Sequence, residues 1–414
     1  MFKRVVVTGL GTVAPVGNTV AEAWENLKAG KSGISLITRF DTSDLATKFA
    51  GEIKNFDAKK LIGRKEARRM DRYTQFAYVA VQQAVEQADL LSAGINRDRV
   101  GMGIGSCIGG IDTITDQYDT LNRRGPNRLN PFGIPMMLVD TAAARIAIDY
   151  GFRGPNMAIV TACATGTNAV GEAFETVARG AADVMIAGGA EASNNRLIIA
   201  GFNVMGALST NNDDPEGACK PFDLNRDGFV MSEGAAVLVL EELEHAKKRG
   251  AIILAEVLGY GTSVDAFHMA APPEDGAGTR LAMQRAIDRA GINPTEIDYF
   301  NAHGTGTKLN DKTETMVLKQ VFGDHAPNIR ITSSKSMTGH LYAGSGAIEA
   351  LICVKTLTDG IITPTINYET PDPECDLNYI TNTALKTDVN VAMSNSLGLG
   401  GHNATIILKK YVED

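Results

Sequence analysis

Three residues join a reactive side chain to a setting of small neighbours. Cys163 stands in TACATGTN, between Ala162 and Ala164. His303 stands in YFNAHGTGTKLND and His340 in SSKSMTGHLYAGSGA. A thiolate is a nucleophile, and an imidazole can exchange a proton near neutral pH. The set suits nucleophilic catalysis. Each member also has a plain structural reading. A free cysteine is commonly a buried small hydrophobe, and a lone histidine is often structural. The chain has only 6 histidines in 414 residues, and two of them sit in matching turn-rich contexts. That weighs towards chemistry.

Cys163 reads as the end of a strand and the start of a helix. A thiol there feels the positive end of the helix dipole, which predicts a lowered pKa and a favoured thiolate. Its small neighbours leave room for a substrate. Cys107, Cys219, Cys353 and Cys375 lack this setting, and Cys353 falls inside a helical period.

The elements that must position these groups show a weak internal repeat. MAIVTACATGTNAVGEAFETVARG predicts a strand, a turn and a helix with Ala169, Ala173 and Val177 on one stripe. IRITSSKSMTGHLYAGSGAIEALICVKTLTDG has the same plan. Its strand ends near Ser334, and its helix carries Ala347 with Leu351 and Ile348 with Ile352 at four-residue spacing. Gly180 and Gly360 close the two helices. Two such units packed about a shared axis would bring Cys163 and His340 to the centre. Elsewhere strand-like runs alternate with helical periods, which predicts α/β layers. RVVVTGLG reads as a first strand. TVAEAWENLKAG reads as a helix with a Thr19–Glu22 capping box and a stop at Gly30.

Length and charge bound the class. A chain of 414 residues is long for one domain, and 44% hydrophobic residues can bury a large core. A net charge of -8 argues against a nucleic-acid binder. MFKRVVVTG is too short in its apolar part for a signal segment, and no run reaches the roughly 18 apolar residues of a membrane span. Five dispersed cysteines without an export signal predict reduced thiols and a soluble, cytoplasmic protein.

Two tempting motifs fail on context. GLGTVA fits a dinucleotide fingerprint, but Pro15 and PVGN stand where its helix should start, and no acidic residue follows at the right distance. It reads as a glycine-rich turn. DLNRDG, from Asp223 to Gly228, opens like a calcium loop, but the twelfth position is Gly234 rather than glutamate. No C-x-x-C or H-E-x-x-H occurs, so no metal site is expected.

Six stretches in order, TACATGTN, GGAEAS, PFDLNRDGFVMSEGA, HGTGTKLND, KSMTGHLYAGSGA and NSLGLGGHN, resemble the elongating 3-oxoacyl-acyl-carrier-protein synthases, most closely those of type II. The resemblance covers nearly the whole chain. It implies a thiolase-like α/β fold of two related halves in five α-β-α-β-α layers, taken here as 1–251 with Cys163 and 252–414 with His303 and His340. It implies that Cys163 carries the acyl chain as a thioester. His303 and His340 would bind the carbonyl of malonyl-acyl carrier protein and stabilise the enolate formed on decarboxylation. The backbone N–H groups of Cys163 and Leu399 would form an oxyanion hole. Lys335 would stand beside the histidines, with Glu349 and Asp311 as its network.

A lysine in so apolar a stretch needs a partner, although Lys335 also reads as a solvated turn residue. Asp311 with Glu314 also reads as a helix cap. By the same resemblance Thr305 and Thr307 would hold a phosphopantetheine arm, the alternative being turn capping. Ile108, Gly133, Phe202, Leu397 and Leu399 would line the acyl pocket. Lys65, Arg68 and Arg69, expected on one helix face, and Arg123, Arg124 and Arg128 would steer an acidic acyl carrier protein, the alternative being solvated surface charge. No cofactor is implied beyond the carrier's own arm. A homodimer is expected, with a chain-length partner subunit as the other arrangement.

Three positions depart from the family. Leu397 and Leu399 stand where type II synthases carry phenylalanine, the second of which gates the cysteine. Gly133 stands where relatives often have phenylalanine reaching the partner's acyl pocket. Loss of this bulk predicts a wider acyl site. The second reading is therefore a ketosynthase of a discrete-protein polyketide or specialised fatty-acid pathway. A non-catalytic partner subunit would lack the nucleophile, and a thiolase would use a second cysteine in place of one histidine.

Overall fold

The computed structural model describes residues 2–91 and 95–413. Its main strands are β1 (Val5–Val13), β2 (Val100–Gly105), β3 (Asn156–Met157), β4 (Val184–Glu191) and β5 (Gly234–Glu242), then β6 (Ala255–Val264), β7 (Tyr299–Asn301), β8 (Arg330–Thr332), β9 (Val391–Gly398) and β10 (His402–Lys410). The strand order is β3-β2-β4-β5-β1-β6-β10-β9-β7-β8. Read outward from the β1–β6 junction, each half has the same plan. β2 is parallel to β3 and β4, and β7 is parallel to β8 and β9. β5 is antiparallel to β1 and β4, and β10 to β6 and β9. The halves join through Val5, Val6 and Val7 paired with Val257, Glu256 and Ala255.

The principal helices are α1 (Val20–Lys28), α2 (Arg72–Gln87), α3 (Ile111–Arg124), α4 (Thr141–Tyr150), α5 (Thr165–Ala178), α6 (Arg196–Val204), α7 (Ala277–Ala290), α8 (Lys308–Phe322) and α9 (Ser345–Asp359). Strand alternation sorts them into layers. On β5, Ala235, Val237 and Val239 pack with Phe76, Ala80 and Ala84 of α2. Its intervening Leu238 and Leu240 pack with Val170, Ala173 and Val177 of α5. Ala404, Ile406 and Leu408 of β10 join that same cluster with Ala350, Leu351 and Val354 of α9. Ile407 points the other way, to Met283 of α7 and Leu318 of α8. The layers run α2 and α4, sheet, α5 and α9, sheet, α7 and α8, which is the five-layered arrangement expected.

Two local expectations change. The central helices are not amphipathic stripes: residues 165–171 and 345–354 are buried all round, because a sheet covers each side. GLGTVA is no turn, since β1 runs through it. A Cβ on Gly9 would lie 2.3 Å from the Ala84 oxygen, and one on Gly11 1.8 Å from that of Ala80. These glycines let α2 lie against the strand. The Thr19 cap of α1 forms, but Glu22 reaches back to the Asn18 N–H at 2.9 Å instead of that of Thr19.

Candidate active site

The chain from β3 turns through Ala162 and Cys163 into α5. Ala162 adopts φ 49°, a left-handed conformation that its Cβ makes unfavourable, so the surrounding fold must hold the turn. The matching chain from β8 forms a helical turn at Lys335–Thr338, then His340, then α9. The first turns of α5 and α9 touch. A Cβ on Gly166 would lie 2.5 Å from the Ala343 oxygen, and one on Gly346 2.1 Å from Thr167 Oγ1. This contact brings the two loops to one place. His303 follows β7, the strand beside β8.

Cys163, His303 and His340 line one cavity of about 490 Å³ with Phe202, Phe229 and Leu399. The histidine rings meet edge to face, with centroids 5.4 Å apart. Both side chains are buried. Burial first, and Lys335 second, hold both imidazoles well below their usual pKa, so both are neutral at pH 7. Lys335 is 1% exposed, so it is no solvated turn residue. Its Nζ donates to the His303 backbone oxygen at 2.7 Å and lies 3.4 Å from His303 Nδ1. It also forms an ion pair with Glu349. Burial pushes the Glu349 carboxyl up to about 7 against the opposing pull of Lys335.

Asp311 is not a partner of Lys335. Its carboxylate accepts from the N–H groups of Phe222 and Gly306, at 2.9 and 3.3 Å, and lies 3.7 Å from Arg226. It sits within α8 rather than capping it, because the helix starts at Lys308. Glu314, read from sequence as the other half of a cap, takes the role nearer the chemistry. Its oxygens accept from the N–H groups of His303 and Gly304, at 2.8 and 2.9 Å, and from Asn395. Its signal was present: an acid three residues beyond Asp311 on a helix that follows a glycine-rich histidine loop.

The thiol departs from expectation. Burial pushes Cys163 up to about 11, while the Leu399 N–H, Lys335 and its own N–H act in the opposite direction. Desolvation outweighs the helix end at this buried position. Those two N–H groups are the pair expected to form the oxyanion hole. Gly398 makes their meeting feasible: a Cβ there would lie 2.6 Å from the Thr161 oxygen and 3.3 Å from the Cys163 nitrogen.

Thr305 and Thr307 line the same cavity, and their hydroxyls are 3.0 Å apart. Thr307 is the N-cap residue of α8, yet its side chain makes no capping bond. Phe202, Leu397 and Leu399 also line the cavity, whereas Ile108 and Gly133 lie outside its wall. The Ile108 N–H donates to Glu191, and Gly133 packs near Gln117 of α3. Tyr342, which sequence reasoning missed, stacks on His340 at 5.1 Å.

The basic residues lie on the surface, except that Arg69 is half-buried. Lys65, Arg68 and Arg69 do not share a long helix face: the helix is one turn, Arg64–Ala67, with Arg68 at its end. Arg69 stacks over Phe132 at 4.5 Å, which sets this segment beside the loop that carries Arg128. Arg123 and Arg124 are exposed in the last turn of α3.

The calcium-like loop is a staple. Asp223 accepts from the N–H groups of Asn225, Glu369 and Thr370 at 2.8, 2.7 and 2.6 Å. Among the described residues no cluster of three His, Cys, Asp or Glu is arranged to hold a metal ion, and no helix is long and apolar enough to cross a membrane.

A buried cysteine beside two backbone N–H groups, with two neutral histidines in the same cavity of a duplicated five-layer fold, is an arrangement that suits a condensing acyltransferase. The chain belongs to the β-ketoacyl synthase family: residues 2–246 match its N-terminal domain and residues 254–369 its C-terminal domain. It is 51% identical over 409 residues to 3-oxoacyl-[acyl-carrier-protein] synthase 2 of Staphylococcus aureus, covering 99% of each chain. It is likewise 51% identical over 409 residues to the Synechocystis enzyme of that name, covering 99% of this chain and 98% of that one. Among solved structures it matches a type II polyketide ketosynthase bound to a hexaketide and in complex with its acyl-carrier protein. That match has a TM-score of 0.92 at 35% identity and covers 100% of both chains.

Proposed function

We propose that the chain is a decarboxylating 3-oxoacyl-[acyl-carrier-protein] synthase of fatty-acid elongation. The single observation that carries this is the common cavity of Cys163, His303 and His340. The Cys163 sulfur attacks the thioester of an acyl carrier. The developing oxyanion is held by the N–H groups of Cys163 and Leu399, and the carrier thiol leaves with the cysteine proton. A malonyl carrier then enters. Its carboxylate leaves as carbon dioxide, and the electron pair passes to an enolate whose oxygen accepts from His303 and His340. Neutral imidazoles suit this, because each can present an N–H without bringing a proton to quench the carbanion. The carbanion attacks the acyl-Cys163 carbonyl, and the thiolate leaves.

No resident cofactor enters this reading. The hydroxyls of Thr305 and Thr307, paired with each other and facing the cavity, suit the amides of a phosphopantetheine arm. The exposed basic residues Lys65, Arg68, Arg123 and Arg124 suit an acidic carrier, and a ketosynthase of this fold is known with its acyl-carrier protein. A homodimer is supported by Ile114, Tyr118 and Leu121, exposed along one side of α3. A cytoplasmic location accords with five free cysteines. The halves divide between 251 and 252, in the stretch between β5 and β6.

Mass spectrometry of Cys163 after incubation with a panel of acyl carriers tests the reading. A thioester on Cys163 that malonyl carrier then converts to 3-oxoacyl carrier is the expected result. Release of free acid without malonyl consumption would sink it. The same panel reads the acyl pocket, where Leu397 and Leu399 predict tolerance of long chains.

A further inference from the structure

His340 is clamped in place. Its ring stacks on Tyr342 at an interplanar angle of 17°, and meets Phe229 edge-on with centroids 5.4 Å apart. Its backbone N–H donates to the Val230 oxygen at 2.8 Å, and its own oxygen accepts from the Ser232 N–H at 3.0 Å. These contacts fix where the ring lies. They do not decide which ring nitrogen carries the proton.

Ser345 faces the nitrogen in question. It is the first residue of α9, and its Oγ lies 2.8 Å from His340 Nδ1. Both side chains are buried, at 1% and 2% exposure, so bulk water does not compete for this bond. A neutral imidazole has one N–H and one lone pair. If the hydroxyl donates, Nδ1 holds the lone pair and Nε2 carries the hydrogen. The enolate needs that hydrogen at Nε2. With the proton on Nδ1, a lone pair would face the enolate oxygen instead.

His303 has a different neighbour at its Nδ1. Its Nδ1 faces the Lys335 ammonium, which can only donate. A cation thus faces Nδ1 of one histidine and a hydroxyl faces Nδ1 of the other. We propose that Ser345 is a positioning residue that fixes the Nε2–H tautomer of His340 for decarboxylation. This rests on the condensing function proposed above. It assigns Ser345 no contact with substrate.

Ser345→Ala removes one oxygen and leaves the helix start otherwise intact. An orienting group whose loss gives the wrong tautomer can cost as much as about 10⁴ in kcat. Because the stacked ring stays clamped, about 10- to 100-fold is expected here in malonyl-carrier decarboxylation. The direct readout is ¹⁵N NMR of the His340 ring. The intact protein should show a protonated Nε2 and an unprotonated Nδ1, and Ser345→Ala should show a tautomer mixture. Acylation of Cys163 by an acyl carrier, read by mass spectrometry, is the separate check on the function itself. An unchanged ¹⁵N pattern in Ser345→Ala overturns the proposal, even if the rate falls. Failure of Cys163 to acylate in the intact protein overturns the function instead.

Discussion

Lys335 holds His303 twice, donating to its backbone oxygen at 2.7 Å and lying 3.4 Å from its Nδ1. The first contact fixes the loop. The second orients the ring and, with burial, keeps it uncharged. Lys335→Met removes one of the two main causes of the lowered pKa, so the His303 pKa rises towards, but stays below, the ordinary value. The acid limb of the pH–rate profile for decarboxylation should move to higher pH. The substitution also leaves Glu349 buried without its cation, a loss of about 3–5 kcal/mol in stability. Denaturant unfolding and the pH–rate profile check the two parts separately.

Cys163 should resist alkylation at neutral pH. Its thiol is pushed up to about 11 by burial. The rate with iodoacetamide should climb about tenfold per pH unit through pH 8 to 10, where a free thiol near 8.5 would already be levelling. A plateau by pH 8 would contradict the effect of burial on this thiol.

Glu191 supplies a test of linkage. Its carboxylate accepts from Ser106 Oγ and from the N–H groups of Cys107 and Ile108. Burial nevertheless raises it from 4.5 to about 7. Between these values the folded chain keeps a proton that the unfolded chain has released. Stability from this group is therefore present at low pH and lost as pH rises to about 7. Against Glu191→Gln, the wild type should lose relative stability from pH 5 to 7 and run parallel above. Urea unfolding at each pH measures this.

The oxyanion hole can be tested at one peptide. Leu399→Pro deletes the N–H, and a loss of about 10²–10³ in kcat is expected. Leu399→Phe keeps the N–H and adds bulk to the cavity wall. It should shift acyl-chain preference towards shorter chains with a much smaller fall in kcat. Steady-state kinetics over a chain-length series separates the two effects.

Gly346→Ala should be costly although alanine is the better helix former. The new Cβ would meet Thr167 Oγ1 at 2.1 Å and Thr167 N at 2.6 Å. The first turns of α5 and α9 must then part. About 1–3 kcal/mol of stability should be lost, with a larger proportional loss of condensation, because these turns carry Ser345 and follow Cys163. Thermal unfolding with activity at a fixed folded fraction checks it.

Much of this was legible in the residues. The matched strand–turn–helix plans around Cys163 and His340 read out the duplication, because each unit repeats its own local pattern of apolar residues and glycine stops. The small neighbours of Cys163 and the turn-rich histidine loops read out the reactive groups. What misled were effects of surroundings. The glycines of GLGTVA looked like a turn, but what demands them is α2 pressed on β1. The helix end suggested a low thiol pKa, but burial decides it.

Local pattern alone pointed to the candidate reactive residues and to the elements that carry them, since periodicity and turn chemistry act over a few residues. Only the tertiary structure decided who pairs with whom. Lys335 takes Glu349 and not Asp311, Glu314 holds the His303 loop, and Ser345 reaches His340. Glu349 and Ser345 come from the central helix α9, and Glu314 reaches in from the outer helix α8. These partners stand only 14, 11 and 5 residues apart in the chain, but periodicity does not show which side chains the fold turns towards one another in a buried interior, where an unpaired polar group is costly.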